Sequence, residues 1–407
     1  GVMSKVTVPV GYKNTEVGVI PEDWEVKELG QIFELKSGET ITSKNISSDD
    51  FFPCYGGNGL RGYTSTFNRN GEHVLIGRQG ALCGNIEYVN DKFFASEHAL
   101  VVTTIKNHSY KWLAYVLDRM HLNQYSESSA QPGLSALKLK KLKISLPSQQ
   151  EQTAIATALS DVDNLIQSLE ILISKKEAIK TATMQQLLTG KTRLPEFATR
   201  EDGSKKGFKQ TDLGQIPEDW ELLSVRETCD LLTGFPFPSS KYQESGIKLL
   251  RGSNVKRGNT DWSDNITKFW TESTSSIEQY LLQKSDIVIS MDGSLVGRSF
   301  AQLSDSDLPA LLLQRVARLR ARLISQNYLK EWICSPIFSD YCDSVKTVTA
   351  IPHISPADIL NFRLFIPQNK KEQTAIATIL SDMDAEIQAL HTRLTKTQNI
   401  KQGMMQQ

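Results

Sequence analysis

The stretch EQTAIATALSDVDNLIQ, residues 151–167, recurs as EQTAIATILSDMDAEIQ at residues 372–388, with 13 of 17 positions identical. A second pair of stretches, GYKNTEVGVIPEDWE at residues 11–25 and GFKQTDLGQIPEDWE at residues 207–221, is identical at 10 of 15 positions. The chain is therefore an internal duplication. The offset between copies is 221 for the first pair and 196 for the second, so the second copy carries 25 more residues (221 − 196) between its matched blocks.

The first repeated stretch predicts a long helix. Ser148 and Glu151 form a capping box after Pro147, because the serine can accept from the third helical amide while the glutamate reaches back to the serine amide. Apolar residues then step by four and three along an a/d seam. The seam consists of Ile155, Leu159, Val162, Ile166, Leu169 and Ile173, and a neighbouring apolar stripe consists of Leu165, Leu172 and Ile179. Because Gly190 is suited to end the helix, the helix has ~40 residues and a length of ~60 Å.

The second copy repeats the seam and predicts a matching helix, with Asn369 as its cap and Glu372 as its third residue. Its seam positions are Ile376, Leu380, Met383, Ile387, Leu390 and Leu394. The alternative is a pair of core helices inside one domain. A helix of ~60 Å is longer than an ordinary domain is wide, which favours an antiparallel coiled-coil spacer whose seam holds the helices together or docks partners.

The duplication divides the chain into five segments and predicts an α+β fold with two related domains. The segments between the repeats alternate short apolar runs with Gly, Asn and Ser clusters, as mixed domains of short strands do. The predicted order is a first domain with its conserved N-terminal segment (1–147), a first spacer helix (148–190), a linker with the repeated IPEDWE (191–221), a second domain (222–367) and a second spacer helix (368–407).

Glycine-broken loops at equivalent places differ between the two domains. In the first domain the strand at residues 73–76 is interrupted at residues 77–80 and resumes after Gly84, and in the second the strand at residues 286–290 is interrupted at residues 291–297. The alignment keeps the glycines, but it replaces Arg78 and Gln79 by methionine and aspartate. Because Arg, Gln and Asp can each read base edges in the major groove, these loops are candidate recognition elements. The alternative is a pair of hairpins with solvated polar tips.

Further candidates come from glycine-rich and basic segments, namely YGGNG at residues 55–59, RGSN at residues 251–254, and the basic runs at residues 138–143 and 315–322. Glycine allows a backbone to approach a phosphate closely, and Lys and Arg neutralise it. The basic runs are equally consistent with solvated faces. The candidate DNA-binding residues are Tyr55, Asn58, Arg61, Arg78, Gln79, Lys138, Arg251, Asn254, Lys256, Arg257, Asp292, Ser294, Arg298 and Arg315.

Composition excludes several classes of protein. The formal net charge is zero, and residues 26–147 carry 14 Lys/Arg against 11 Asp/Glu while residues 222–367 carry 16 against 15, so neither domain is strongly basic. The five cysteines form no CxxC pair, which fits reduced thiols rather than a zinc site or a disulfide framework. The six histidines are scattered, and no glycine-rich strand-to-helix turn suits S-adenosylmethionine or ATP. No run of ~18 apolar residues could span a membrane.

On these residues the chain resembles the DNA-specificity subunit of a type I restriction-modification system. The resemblance covers nearly the whole chain. It is carried by IPEDWE at residues 20–25 and 216–221, by EQTAIA at residues 151–156 and 372–377, and by MQQLLTGKTRL at residues 184–194.

The resemblance implies two target-recognition domains, each reading one half of a bipartite double-stranded DNA sequence. The conserved helices would set the unread spacer and dock two methyltransferase subunits, and the complex would include motor-nuclease subunits. The chain itself would catalyse nothing and hold no metal or cofactor, while S-adenosylmethionine, ATP and Mg would belong to the partners in a prokaryotic cytoplasm. A fused enzyme and a coiled-coil scaffold for protein partners alone are the alternatives. The missing cofactor loop argues against the enzyme, and the two different loop tips argue against the scaffold.

Overall fold

A computed structural model describes residues 8–127 and 132–406. The chain divides into two compact units, the first formed by residues 1–169 and 394–407 and the second by residues 170–393. Each unit thus contains one α+β domain together with parts of both long helices. The predicted fold class, two related α+β domains joined by two long helices, is confirmed.

The first unit contains short strands, short helices and the start of the first long helix. Its strands are β1 (Tyr12–Thr15), β2 (Gly18–Pro21), β3 (Glu25–Glu28), β4 (Phe33–Ser37), β5 (Phe52–Gly56), β6 (Gly59–Thr64), β7 (Arg69–Gly77), β8 (Ile86–Ala95), β9 (Ala99–Thr104) and β10 (Lys143–Leu146). Its helices are α1 (Leu29–Ile32), α2 (Tyr110–Arg119), α3 (Ala136–Lys140) and the first part of α4 (Gln149–Leu188).

A six-stranded sheet in the order β4-β9-β7-β8-β5-β6 forms the centre of the first unit. The apolar stretch at residues 74–76 lies in β7 between two antiparallel neighbours, and its side chains are buried, because a central strand is covered on both faces. Helix α2 contributes Trp112, Leu113 and Leu117 to the same core. The strand β7 ends at Gly77, where the sequence predicts a loop.

The second unit repeats part of this plan, with its central strands divided between a five-stranded and a three-stranded sheet. Its strands are β11 (Phe208–Thr211), β12 (Gly214–Pro217), β13 (Trp220–Ser224), β14 (Cys229–Thr233), β15 (Ile247–Leu250), β16 (Arg257–Gly258), β17 (Phe269–Trp270), β18 (Ile287–Ser290), β19 (Phe300–Gln302), β20 (Ala310–Leu312), β21 (Val316–Ala321) and β22 (Arg363–Pro367). Its helices are α5 (Val225–Thr228), α6 (Gln326–Ile333), α7 (Pro336–Val345), α8 (Pro356–Asn361) and most of α9 (Lys370–Gln406).

The pairing of β15 shows where the second copy has grown. Tyr55 of β5 pairs in parallel with Ala95, and Leu250 of β15 pairs in parallel with Leu312, so Tyr55 and Leu250 are equivalent. From Tyr55 to Gly80 is 25 residues (80 − 55), whereas from Leu250 to the equivalent Gly293 is 43 (293 − 250), a difference of 18. Most of the 25 additional residues therefore lie in this one connection, which holds β16 and β17.

The end of α4 and the start of α9 pack as core helices in the second unit. Both interpretations of the seam, a coiled-coil spacer and a pair of core helices, therefore apply to parts of these helices. Leu188 near the end of α4 and Ile376 and Leu380 near the start of α9 are buried with Trp220 and Trp332. The seam residues farther along α4 and α9 are buried or half-buried. The exposed residues of the helices include the neighbouring stripe: Leu165, Leu172 and Ile179 are exposed at 38%, 38% and 43%.

Charged pairs fix the two long helices against each other in each unit. In the second unit Lys176 of α4 lies 2.7 Å from Glu386 of α9, and Lys180 lies 2.5 Å from Asp384, so the two helices run antiparallel there. In the first unit Asp163 lies 2.7 Å from Lys401. Asp163 and Asp384 are separated by 221 residues, as are Lys180 and Lys401, so both units use the same Lys–Asp contact.

The start of α4 follows the predicted capping box, whereas the start of α9 does not. The Ser148 amide donates to the Glu151 carboxylate (3.0 Å), and the Glu151 amide donates to Ser148 Oγ (3.3 Å). In α9, Asn369 Oδ1 accepts from the amide of Lys371, and the Glu372 carboxylate binds Arg193 instead of closing a box. Glu372 is the third residue of α9, as predicted, but a guanidinium group from the linker binds its carboxylate, so no capping box closes.

Arg193 is the centre of a buried ionic cluster in the second unit. Its guanidinium donates two hydrogen bonds to Asp219, of 2.6 and 2.7 Å, and two to Glu372, both of 2.8 Å. The Arg193 side chain is 8% exposed and that of Glu372 is 1% exposed. Burial alone would raise the pKa of Asp219, but the hydrogen bonds from Arg193 and Lys206 outweigh burial and hold this pKa below its usual range. The linker is thereby clamped to the start of α9.

Substitution Arg193→Ala should destabilise the second unit by ~3–5 kcal/mol, because it leaves the buried Glu372 carboxylate without a counter-charge. Thermal or urea unfolding followed by circular dichroism measures the change. Arg363→Ala is the control, since Arg363 pairs with Asp212 at the surface, with side chains 39% and 65% exposed, and should cost no more than ~1 kcal/mol.

The difference between wild type and Arg193→Ala should also depend on pH. Because the folded-state pKa of Asp219 is lowered, its contribution to stability is present above the unfolded-state pKa and is lost as pH falls through the folded-state value. Equal losses of stability for Arg193→Ala and Arg363→Ala at neutral pH would contradict the clamp.

Candidate nucleic-acid interface

Four backbone segments meet at one end of the sheet in the first unit, and we call this group the first loop cluster (residues 56–59, 77–80, 96–98 and 132–134). A Cβ atom placed on Gly77 would lie 2.1 Å from the carbonyl oxygen of Gly57, and one placed on Gly57 would lie 2.5 Å from that of Gln79. Only glycine allows this approach, so the glycines found in the sequence position the loops against each other.

Three side chains of the first loop cluster, those of Arg78, Gln79 and His98, make hydrogen bonds with other side chains. Arg78 is exposed and donates from Nη1 to Ser37 Oγ (2.9 Å). Gln79 Oε1 and His98 Nδ1 are 3.0 Å apart, and because an amide oxygen can only accept, the imidazole is the donor. The other ring nitrogen of His98 lies 3.3 Å from Glu97. Gln79 and His98 therefore form a coupled polar pair at the surface.

The second unit builds its loop cluster (residues 252–254, 290–293, 313–315 and 352–354) with the same backbone hydrogen bonds. Met291 takes the place of Arg78, Asp292 that of Gln79, and Arg315 that of His98. In the first cluster the bonds are Arg78 N to His98 O (2.8 Å), Gly80 N to Pro132 O (2.9 Å) and Leu134 N to Arg78 O (2.9 Å), and in the second they are Met291 N to Arg315 O (3.0 Å), Gly293 N to Pro352 O (2.9 Å) and Ile354 N to Met291 O (2.9 Å). The backbone frame is thus retained while the side chains differ.

A cleft of about 300 Å³ opens beside the second loop cluster. Arg315 Nη1 donates to Asp292 Oδ2 at 2.7 Å across this cleft. The Arg315 side chain is 71% exposed and that of Asp292 is 25% exposed. Ile351 lines the same cleft and is 64% exposed. A salt bridge thus occupies the positions that the amide–imidazole pair holds in the first cluster.

The structure brings several of the predicted residues of the first unit together. Asn58 and Arg61 are exposed, with the Arg61 side chain against Gly56, and Arg78 and Gln79 lie in the adjoining loop. Tyr55 is half-buried with its ring edge against Phe93, and burial raises the pKa of its phenol. The ring packs against the domain, and the role of Tyr55 as a DNA-binding residue stays a prediction.

Lys138 lies on α3 and is paired with Glu127 at 2.9 Å. Glu127 is itself joined to the first loop cluster, because its amide donates to Gly133 O (3.1 Å). Lys138 is therefore at the side of the cluster, with its charge balanced by a neighbouring carboxylate. Its role as a DNA-binding residue stays a prediction.

Two predicted residues of the second unit make hydrogen bonds inside the domain, and their role in DNA binding stays a prediction. Asn254 is fully buried, and its amide accepts from the Arg251 amide (3.1 Å) and donates to Asp261 O (2.9 Å). The Arg251 guanidinium donates to the carbonyl of Ile266 inside the domain. These side chains support the loop, because a buried amide with its partners satisfied cannot reach DNA without losing them.

The other predicted residues of the second unit differ in accessibility. Arg257 and Ser294 are exposed, and Lys256 lies 3.8 Å from Asp261. Arg298 makes two hydrogen bonds to Asp343 of α7, where Lys346 also binds, and these contacts hold the pKa of the Asp343 carboxyl far below its usual range. Arg298 therefore fastens its loop to α7.

The predicted basic run at residues 315–322 is not one charged face. Arg318 is 8% exposed, and burial lowers its pKa. Arg320 is engaged with Asp286 by two hydrogen bonds. Of this run, Arg315 and Arg322 reach the surface.

Sequence reasoning missed His98, the partner of Gln79, and His353, whose backbone bridges to Asp292. A lone histidine has no pattern of its own. An alignment of β9 with β21 places His98 at the position of Arg315. This alignment could have identified His98 from the sequence. Among residues 8–127 and 132–406, no group of three or more His, Cys, Asp or Glu is placed to hold a metal ion, and no helix of that part of the chain is long and apolar enough to cross a membrane.

A family profile described as "Type I restriction modification DNA specificity domain" matches residues 21–179 and again residues 217–402. The chain belongs to this family. The two matches coincide with the two copies of the internal repeat, so the resemblance inferred from IPEDWE and EQTAIA is confirmed.

Relatives of this specificity-domain protein include named specificity subunits. It is 41% identical over 162 residues to the type I restriction enzyme EcoprrI specificity subunit of Escherichia coli, covering 39% of this chain and 40% of that one. It is 26% identical over 403 residues to the MjaVIII specificity subunit of Methanocaldococcus jannaschii, covering 95% and 92%. Among solved structures, the S subunit of the type I restriction-modification system from M. genitalium matches with a TM-score of 0.64 at 16% identity, covering 94% of this chain and 95% of that chain, which shows a shared fold.

Substitution Arg298→Ala should destabilise the second unit by about 1 kcal/mol, because it removes two charge-assisted hydrogen bonds that are partly screened by solvent. Thermal unfolding at neutral pH measures this loss. Arg315→Ala is the matched change at an exposed arginine and should alter stability by less than ~0.5 kcal/mol. A larger loss from Arg315→Ala than from Arg298→Ala would contradict the assignment of Arg298 as a fastening residue.

Proposed function

We propose that this protein is the DNA-recognition subunit of a type I restriction-modification complex and reads a bipartite double-stranded target, with one half-site for each α+β domain. The observation that carries the proposal is the backbone frame that occurs twice with different polar side chains. A protein that reads two different half-sites needs this combination, because the backbone holds the loops while the side chains select the bases.

The exposed side chains of both loop clusters have the required chemistry. Arg78 and Gln79 in the first cluster and Arg315 and Asp292 in the second offer donors and acceptors suited to base edges or phosphates. Both clusters contain glycine, which also allows the backbone to approach a phosphate closely. The buried Asn254 and the paired Arg298 would act by holding the loops.

We further propose that the helix pair docks methyltransferase subunits through exposed apolar residues. Ile376 and Leu380 of the seam do not form this surface, because they are buried in the core of the second unit. Ile171, Leu172 and Ile179 of α4 are 63%, 38% and 43% exposed. Exposed apolar groups on a regular helix are suited to a protein partner.

The near-neutral charge of both domains supports an assembly in which partners contribute to DNA binding. Specific binding to DNA draws much of its affinity from neutralised phosphates, and neither domain carries a large excess of Lys and Arg. The methyltransferase subunits, and motor-nuclease subunits where present, would supply the remaining contacts. These partners would also hold S-adenosylmethionine, ATP and Mg²⁺.

Exchanging residues 26–147 for the corresponding segment of a related specificity subunit should change one half of the methylated sequence. The other half should stay the same, because each domain has its own core and its own loop cluster. Sequencing of DNA methylation in cells that express the exchanged chain with its methyltransferase partner is the measurement. The reciprocal control keeps residues 26–147 and exchanges residues 222–367. A change in both half-sites from either exchange would disprove independent recognition.

The double substitution Leu172→Lys and Ile179→Lys should weaken the complex with the methyltransferase subunit by at least tenfold, because two charges would enter an apolar contact. Leu323→Lys is the control at an exposed leucine elsewhere in the second unit, where the side chain is 56% exposed. Size-exclusion chromatography with light scattering measures assembly, and thermal unfolding checks that the variants fold. Equal assembly of both variants would remove this surface of α4 from the interface.

A further inference from the structure

Two coupled polar pairs occupy equivalent backbone positions in the loop clusters, Gln79 with His98 in the first and Asp292 with Arg315 in the second. We infer that each pair is the specificity-determining element of its half-site, in which Gln79 reads an adenine and Arg315 reads a guanine while His98 and Asp292 orient them. This inference rests on the proposed function and names the residues and the bases within it.

The second pair has the geometry of an oriented guanidinium. Asp292 Oδ2 accepts from Nη1 of Arg315 at 2.7 Å, so one edge of the guanidinium is fixed by the protein. The side chain as a whole is 71% exposed, which leaves the remaining N–H groups facing solvent. A guanidinium held in this way can donate two parallel hydrogen bonds to O6 and N7 of guanine in the major groove. The carboxylate of Asp292 would set the plane of that fork.

The backbone of Arg315 supports a functional rather than a structural role. Its φ is +67°, in the left-handed region that arginine seldom adopts. The conformation is held by the frame, because the Arg315 carbonyl accepts from Met291 N at 3.0 Å. An exposed ion pair adds little to stability. The strained backbone and the exposed side chain of Arg315 are therefore explained better by a role in binding than by a contribution to folding stability.

The first pair has the geometry of an oriented amide. His98 Nδ1 lies 3.0 Å from Gln79 Oε1, so the imidazole fixes which end of the amide is the oxygen. The oxygen has a second lone pair, and the NH₂ group points away from the imidazole with its donors available. An amide in this state can accept from N6 and donate to N7 of adenine. The Glu97 carboxylate lies 3.3 Å from the other ring nitrogen and accepts a hydrogen bond from it when the imidazole carries both protons.

The two pairs can be exchanged as units because the same backbone hydrogen bonds hold both loops, although φ lies in the left-handed region at Arg315 and not at His98. The distances Arg78 N to His98 O and Met291 N to Arg315 O are 2.8 and 3.0 Å, and these bonds involve no side chain of either pair. The decisive variant is therefore Asp292→Gln combined with Arg315→His, which places the first pair in the second cluster without a change in net charge.

The experiment expresses the wild type and this variant with the cognate methyltransferase subunit and sequences DNA methylation. We expect discrimination for the guanine read by Arg315 to be lost and discrimination for an adenine to be gained in the same half-site, because the reading side chain moves from position 315 to position 292, with a ten- to hundredfold change at each base. The other half-site should be unaltered. The control is Lys284→Gln with Asp305→Asn, which removes an exposed ion pair of the same unit, with side chains 64% and 77% exposed, and should leave both half-sites unchanged.

Two further variants keep the inference falsifiable if the exchanged pair does not support methylation. Arg315→Lys retains the charge and loses the fork, so discrimination at the guanine should fall at least tenfold while thermal unfolding is unchanged. Gln79→Glu removes the amide donors, so methylation of targets with adenine at one position of the other half-site should fall comparably. His98→Gln tests the positioning residue, which should reduce discrimination at the same adenine and at no other base.

The outcomes separate this inference from the function on which it rests. If the wild type with its partner gave no sequence-specific methylation, the proposed function would fail. If the wild type methylated a bipartite target and both Arg315→Lys and the exchanged pair left every base of that target unchanged, the proposed function would stand and the assignment of the pairs would be overturned.

Discussion

The close approach of backbone segments at glycine is the constraint on which both domains depend. A Cβ on Gly38 would lie 2.2 Å from Ala95 O, and one on the equivalent Gly234 would lie 2.1 Å from Leu313 O. These contacts bring the strand β4 or β14 against the loop that precedes β9 or β21. Side chains have no place between the segments, so the geometry of each cluster is determined by backbone hydrogen bonds. The exposed side chains can then differ without a change of fold.

The ion pairs differ in burial: strong pairs lie inside the domains and weak pairs lie at the surface. The Arg193 cluster is buried and joins the linker to α9, whereas many surface pairs are exposed on both sides and contribute little. The Lys–Asp contacts between α4 and α9 recur in both units with the same offset as the repeat. The helices therefore have a defined register in each unit, although their seam is only half-buried over part of its length.

Sequence reasoning located the long helices closely and the domains only in outline. The capping box at Ser148, the heptads and Gly190 are local signals, so α4 was predicted to within two residues at each end. The strand order of the domains depends on contacts between distant segments and could not be read from periodicity. The loops at residues 77–80 and 291–297 were found because glycine is a local signal. The side chains that bind to these loops were not predicted. The fold of the sheet brings His98 to Gln79, and Asp343 lies 45 residues beyond Arg298 in the sequence. The burial of Asn254 was not predicted, because a buried polar side chain leaves no mark in a loop sequence.

The backbone frame shared by the loop clusters affects how the exposed side chains can evolve. Since its hydrogen bonds do not involve the side chains at positions 79, 98, 292 and 315, a missense change there alters the exposed chemistry while the fold is preserved. In the genetic code histidine is a single nucleotide away from glutamine, arginine and aspartate, which are the residues found at these positions. A lineage can therefore pass between the two kinds of pair by successive point mutations, each of which leaves a folded protein for selection to act upon.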